Sequence, residues 1–138
     1  MADITSNTQS NRVSKPVLWT GRIFSAIVIL FLIFDGVIHL LKFQPVVDSF
    51  KQLGLPIELS VGLGVVELIC LILYIIPRTS IFGAILLTGY LGGAIAIQLR
   101  INAPLFSTAL FPVYLGILMW GGVYLRNNNL RQLMPFQK

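Results

Sequence analysis

Four long apolar segments with very little charge limit how this chain can fold more than any other feature of its sequence. They cover about residues 17–41, 57–76, 80–99 and 104–125. A helix of about 20 apolar residues is long enough to cross the hydrocarbon core of a membrane. Because lipid offers no hydrogen-bond partners, the backbone of such a segment must satisfy its own amides, which favours helices. We therefore predict an all-α membrane protein with a four-transmembrane-helix bundle in contact with the lipid bilayer.

The composition and the cysteine content exclude several other classes of protein. Of the 138 residues, 56% are hydrophobic and only 11% are charged, whereas a soluble domain has about 25% charged residues. The net charge of +5 is spread between the apolar segments, so no basic stretch is dense enough to follow phosphates and we expect no nucleic-acid partner. The single cysteine, Cys70, lies in an apolar segment and allows neither an intrachain disulfide nor a dithiol redox pair.

The basic residues near the ends of the spans predict the orientation of the bundle. Those on the side of the chain termini are Arg12, Lys15, Arg22, Arg78, Arg126, Arg131 and Lys138. Those on the opposite side are Lys42, Lys51 and Arg100. Because the side richer in lysine and arginine stays in the cytoplasm, both termini are predicted to be cytoplasmic. This divides the chain into a polar cytoplasmic tail (1–16), a transmembrane domain (17–126) and a basic cytoplasmic tail (127–138).

The connection between the first two spans has the pattern of a short amphipathic helix. Pro45 suits its first turn and Gly54 its end, while Val46, Phe50 and Leu53 recur at helical spacing. We predict an interfacial helix between spans 1 and 2, which either tethers the protein to the membrane surface or covers a cavity beneath it.

Small residues in the third span are spaced for close helix packing. The sequence GAILLTGYLGGAIA contains pairs four residues apart, among them Gly89 with Gly93 and Gly92 with Ala96. Such pairs let two backbones approach closely in lipid. They either pack helices within one chain or form a homodimer through the third helix, and the sequence does not separate these two uses.

Ionisable residues inside the predicted spans are the candidate catalytic residues. Placing a charged side chain at mid-bilayer costs about 2.5–3.5 kcal/mol on insertion scales. We therefore expect such a residue to have a partner within the protein or a functional role. Asp35 and His39 lie four residues apart on one face of the first helix, and Glu67 lies near the centre of the second. At similar depth the three side chains would be coupled, so we expect one carboxyl group to keep a proton or His39 to be cationic. Such a group could exchange protons with a bound substrate, or it could only hold helices together.

Further polar residues could line the same site, which we predict to open on the side opposite the termini. Gln98 and Arg100, at the end of the third span, would orient an oxygen atom or an anion at its mouth. Further candidate ligand-binding residues are Ser60, Thr88 and Tyr90, for which packing is the alternative.

A bound metal or haem has weak support in the sequence. One histidine cannot supply both axial ligands of a transmembrane haem, although a dimer would supply His39 twice. Asp35, His39 and Glu67 are sensible metal ligands, but three ligands on two helices form a weak pattern, so no metal site is assigned.

The sequence resembles the DoxX-like family of small four-helix bacterial membrane proteins. The resemblance rests on FDGVIHLL around Asp35, ELICLILYIIPRT from Glu67, GAILLTGYLGGAIA at residues 83–96 and WGGVYLR at residues 120–126. It implies a location in the bacterial inner (plasma) membrane, and recurring acidic residues in the first two spans that correspond to Asp35 and Glu67. Where the family often has a lysine and a histidine, this chain has His39 and Gln98.

The resemblance also implies a link to redox chemistry. Some members resemble subunits of a thiosulfate:quinone oxidoreductase, and others resemble membrane partners of redox-defence enzymes. We therefore expect a redox-associated subunit or a binder of a small hydrophobic ligand, with a quinone as the candidate cofactor and a redox enzyme as a candidate partner. The alternatives are a non-catalytic assembly or anchoring protein and, as a homodimer, a proton-linked transporter of small molecules.

Overall fold

The computed structural model describes residues 13–134, so the predictions for residues 1–12 and 135–138 of the two tails lie outside the described residues. Over this range the chain forms helices α1 (Lys15–Leu40), α2 (Gln44–Leu53), α3 (Glu58–Ile75), α4 (Ser80–Arg100), α5 (Phe111–Arg126) and α6 (Asn128–Leu133). A π-helical segment, Leu105–Ala109, precedes α5. No strand occurs among the described residues.

Four of these elements are long and apolar enough to cross a membrane: α1, α3, α4 and the stretch from Leu105 to Arg126. Large hydrophobic side chains point away from the bundle, where a soluble protein would place polar groups. Leu30, Phe34 and Ile117 are 70%, 64% and 65% exposed. An apolar surface of this kind requires lipid as its solvent. The predicted all-α membrane bundle of four spans is confirmed.

The four spans form a ring in which each helix packs against two neighbours. Helix α1 contacts α3 and α5, and α4 contacts the same two helices from the other side. Helices α1 and α4 therefore lie across the bundle from each other. The core between the helices is formed largely by Val28, Leu32, Leu71, Leu87, Met119 and Val123, all of them at most 2% exposed.

Glycines bring three helix pairs into close contact. At the crossing of α1 and α3, a Cβ atom on Gly64 would stand 2.9 Å from the carbonyl oxygen of Gly36. At the crossing of α1 and α5, a Cβ atom on Gly21 would stand 3.1 Å from the carbonyl oxygen of Gly122. Gly83 of α4 lies equally close to the backbone of α3 at Tyr74. Glycine is required at these positions because a side chain would push the backbones apart.

The glycines in the second half of α4 do not pack in this way. A Cβ atom on Gly89, Gly92 or Gly93 would meet nothing within 4 Å. The predicted pairs at these positions therefore do not mediate helix packing within the chain. Whether they mediate a homodimer stays a prediction.

The fourth span is interrupted near its start. The π-helical segment ends before Leu110, and α5 begins at Phe111 with Pro112 in its first turn. Proline suits that position because its missing N–H needs no partner there. Pro112 therefore lies in the first turn of a new helical segment, and the break between the two segments is at Leu110.

The predicted helix between the first two spans is present as α2, which ends at Gly54 in a left-handed conformation with φ 67°. Val46 and Phe50, four residues apart on its apolar side, are buried. This side of α2 is thus turned into the protein rather than toward surrounding lipid, and α2 covers one end of the bundle.

A second polar cluster ties three helices together toward the end of the bundle at which α1 begins. Tyr74 of α3 is fully buried, and its hydroxyl donates a hydrogen bond to the backbone oxygen of Met119 on α5. Ser25 of α1 lies 2.9 Å from the same hydroxyl and serves as its donor. With both of its hydrogen bonds satisfied, the Tyr74 hydroxyl holds the three helices together.

Candidate functional site

A cavity of about 440 Å³ lies between the four spans, under α2. Its walls are mainly apolar, with phenylalanine rings from three elements: Phe31 of α1, Phe50 of α2 and Phe111 of α5. Gly89 and Gly93 form part of its wall on α4. Because these glycines have no side chain and their neighbours leave open space, the cavity extends up to the α4 backbone.

Three ionisable side chains meet in this cavity. Asp35 and His39 come from successive turns of α1, and Glu67 comes from the facing side of α3. Each residue offers one potential ligand atom, and these atoms all lie within 4.8 Å of one another. Asp35 Oδ2 is 3.6 Å from Nδ1 of His39. The structure therefore brings together the three residues that we predict to be catalytic, and we refer to them as the acidic cluster.

Glu67 is the most deeply buried member of the acidic cluster. Its side chain has no exposed surface, whereas those of Asp35 and His39 are 30% and 17% exposed. Oε2 accepts a hydrogen bond of 3.1 Å from the hydroxyl of Tyr90 on α4, but Oε1 has no hydrogen-bond partner. A buried carboxylate with an unsatisfied oxygen is costly unless it binds a proton or a cation.

The orientation of His39 follows from its hydrogen bonds. Nδ1 lies 2.8 Å from the backbone oxygen of Asp35, which can only accept, so Nδ1 is the protonated nitrogen. In the neutral ring this leaves Nε2 with a free lone pair. The edge of the ring packs against Phe50, with the ring centres 6.0 Å apart. The histidine is thus held by α1 and α2 while one nitrogen stays available.

The other predicted ligand-binding residues divide into two groups. Gln98 and Tyr90 line the cavity. Ser60, Thr88 and Arg100 are not among its lining residues, and each has a partner within the protein.

The partners of these three residues are mainly backbone carbonyls. Ser60 donates to the carbonyl of His39, and Arg100 donates to that of Leu53 at 3.4 Å, which connects α4 to α2. Thr88 donates to Ala84 of its own helix and accepts from Trp120. The structure therefore does not bring these residues to the cavity.

Sequence reasoning did not single out the residues that shape the cavity walls. Phe50 had a detectable signal, because it lies on the apolar side of the predicted amphipathic helix. Gly89 and Gly93 were noted only for helix packing. Phe31 and Phe111 lie in uniformly apolar segments, where no pattern distinguishes a cavity wall from a surface in contact with lipid.

The acidic cluster has limited charge compensation. The described residues that line the cavity include no lysine or arginine, and His39 is the only basic side chain among them. Two carboxyl groups therefore face one imidazole in a largely apolar space. Such a site can hold a proton, bind a cation or donate hydrogen bonds to a polar group on a ligand, and its donor set is also suitable for a metal ion.

The fold and the site define an integral membrane protein whose four spans surround a cavity that is apolar in its walls and acidic at one point. The chain belongs to the DoxX-like family, which matches residues 23–122 and thus the region containing Asp35, Glu67 and Gln98. The resemblance noted in the sequence is confirmed. No curated protein and no solved structure matches the chain significantly.

Proposed function

We propose that this protein binds a small, largely hydrophobic molecule with a polar oxygen, for which a quinone is the best candidate, and serves as a redox-associated subunit. It would reside in the bacterial inner membrane, as the family implies, with both termini in the cytoplasm, as the distribution of basic residues predicts. The proposed function depends on one observation: the same cavity is lined by apolar walls and by the three ionisable side chains of the acidic cluster.

The size and lining of the cavity support a ligand of this kind. Its volume of about 440 Å³ falls within the range of about 300–1,000 Å³ that is usual for small-molecule sites. Such sites combine apolar and aromatic walls with a few convergent polar groups that fix the ligand's orientation. Phe31, Phe50 and Phe111 would contact an apolar ring or tail, while Gln98 would donate its amide N–H groups to a carbonyl oxygen.

The acidic cluster would handle protons for the bound molecule. Reduction of a quinone to a quinol takes two electrons and two protons. The electrons would come from a partner redox enzyme, since the chain has no dithiol. Asp35, His39 and Glu67 can each hold and release a proton, and Asp35 and His39 would exchange protons with the bound molecule through their surfaces that line the cavity. Tyr90 would keep the Glu67 carboxyl group in place through its hydrogen bond.

The unsatisfied hydrogen bonding of Glu67 argues against an acidic cluster that only holds helices together. In the Ser25–Tyr74–Met119 cluster, the central hydroxyl has both a donor and an acceptor. Oε1 of Glu67 has no donor, although it is buried. Since a structural cluster gains its stability from satisfied hydrogen bonds, an open oxygen at a cavity favours a binding role.

Binding of a short-chain quinone to the purified full-length protein would test this function. Decyl-ubiquinone is titrated into the protein in detergent, and Asp35→Asn and Glu67→Gln are compared with the wild type. A protonated, neutral carboxyl group at either position would donate a hydrogen bond to the quinone oxygen. Such a bond contributes about 0.5–1.5 kcal/mol, so each variant should bind about twofold to tenfold more weakly.

Matched controls separate this effect from general damage to the fold. Asp48→Asn and Glu58→Gln make the same chemical changes at exposed positions on α2 and α3, outside the cavity. They should bind like the wild type. Equal affinity in all five proteins, or no saturable binding to the wild type, would contradict the proposed function.

A further inference from the structure

The charge balance of the acidic cluster calls for a positive partner. Asp35 and Glu67 are placed close together, and Glu67 is completely buried. His39 is the only basic group within the cluster, and its Nδ1 already donates to a backbone carbonyl. Two carboxylates in an apolar interior repel each other strongly unless one of them binds a proton or a cation lies between them.

The three side chains also offer the right atoms for coordination. Carboxylate oxygens and an imidazole nitrogen are the usual oxygen and nitrogen ligands of divalent transition metals. Their potential ligand atoms lie within 4.8 Å of one another, whereas tetrahedral ligands with metal bonds of about 2.1 Å stand about 3.4 Å apart. A metal ion bound at Nε2 would require rotations about the side-chain torsions of Asp35 and Glu67 that bring their oxygens to this distance.

Two further features of the acidic cluster are typical of residues that are oriented to bind a metal ion. Oε1 of Glu67 is a buried oxygen without a hydrogen-bond partner, in a residue that lines the cavity. His39 donates Nδ1–H to the backbone oxygen of Asp35, and metal-binding histidines commonly use one ring nitrogen in this way while the other binds the metal. The hydrogen bond from Tyr90 to Oε2 orients the Glu67 carboxylate in the same manner.

We propose that Asp35, His39 and Glu67 form a binding site for one divalent transition-metal ion, such as Zn²⁺, at the inner end of the cavity. Three protein ligands leave at least one coordination position open toward the cavity, as in metal sites that bind a small molecule. The imidazole nitrogen distinguishes this site from one for Mg²⁺ or Ca²⁺, which prefer oxygen ligands alone. Metal ligation would take the place of proton binding at these three side chains, and the site does not depend on the binding of a quinone.

Metal retention by the full-length protein tests this site directly. The protein is purified in detergent without a polyhistidine tag, stripped with a chelator, equilibrated with Zn²⁺ and desalted, and its metal content is measured by mass spectrometry. The wild type should retain one equivalent per chain. Glu67→Gln and His39→Gln should each bind Zn²⁺ at least tenfold more weakly, while Glu58→Gln on the same helix should bind like the wild type.

Two further measurements test the metal site on the wild-type protein alone. Their results do not depend on whether the variants fold correctly. With Co²⁺ as a probe, the visible spectrum should show the intense bands of a low-coordinate ion with a nitrogen ligand. A tenfold excess of Mg²⁺ should not displace Zn²⁺. A spectrum of hydrated Co²⁺, no retained Zn²⁺ or equal competition by Mg²⁺ would overturn the site. Decyl-ubiquinone binding to the chelator-treated protein is measured separately, so failure of one proposal is distinguishable from failure of the other.

Discussion

Filling the cavity from α4 should abolish ligand binding without harming the fold. Gly93 lines the cavity, and a Cβ atom added to it would meet nothing within 4 Å. The change Gly93→Leu therefore places a branched side chain in the space that the ligand would occupy, with no collision at its first atom. Replacing a glycine inside a helix also stabilises the folded state by about 0.5–1 kcal/mol.

The expected signature is a stable protein that no longer responds to ligand. A ligand at a hundred times its Kd stabilises the folded protein by about 2.7 kcal/mol. Thermal unfolding in detergent should show this gain with decyl-ubiquinone for the wild type but not for Gly93→Leu, which without ligand should unfold at a temperature equal to or above that of the wild type.

The neighbouring glycine provides a control for this experiment. Gly92 also has open space around its Cβ position but does not line the cavity. Gly92→Leu should keep the full response to the ligand. If Gly93→Leu responds like the wild type, the ligand is bound elsewhere and the assignment of the cavity is wrong.

Three other changes test separate parts of the structure. Gly122→Ala should destabilise the protein by about 1–3 kcal/mol in a denaturant titration, because the new methyl group would collide with Ser25 of α1; a neutral effect would contradict the close packing of α1 and α5. Tyr74→Phe should cost about 1–3 kcal/mol in the same assay, since the Met119 carbonyl loses its donor, while quinone affinity stays unchanged. Phe50→Ala removes a ring that covers the cavity, so stopped-flow experiments should show faster ligand dissociation, and an unchanged rate would mean that α2 does not cover the exit.

The spans could be predicted closely because hydropathy alone determines them. Segments of about 20 apolar residues have one structural solution in lipid, and their ends were fixed by proline and by charged residues. The prediction at 80–99 differs from α4 (Ser80–Arg100) by a single residue. The break at Leu110 was not predicted, because Pro112 indicates that a helix is disturbed but not whether it bends or starts anew.

The meeting of Asp35, His39 and Glu67 could be predicted for a different reason. Ionisable residues are so costly in a membrane that they are expected to face one another, and helix geometry places residues four apart on one face. Depth along the helix also suggested that Gln98 lies close by.

Depth alone could not show which way a side chain turns around its helix axis. Ser60 and Thr88 donate to backbone carbonyls instead of lining the cavity. Arg100 extends toward the end of α2 instead. The cavity itself depends on the absence of side chains at Gly89 and Gly93, which the sequence also offers as packing positions.

The central claim is that the cavity holds a small hydrophobic molecule through its acidic cluster. Native mass spectrometry of the full-length protein, released directly from its own membranes, tests this most directly. The wild type and Glu58→Gln should show a population heavier by the mass of one bound molecule, which Glu67→Gln should lack. The same spectrum for all three proteins, or a wild type without any bound molecule even after decyl-ubiquinone is added in excess, would contradict the claim.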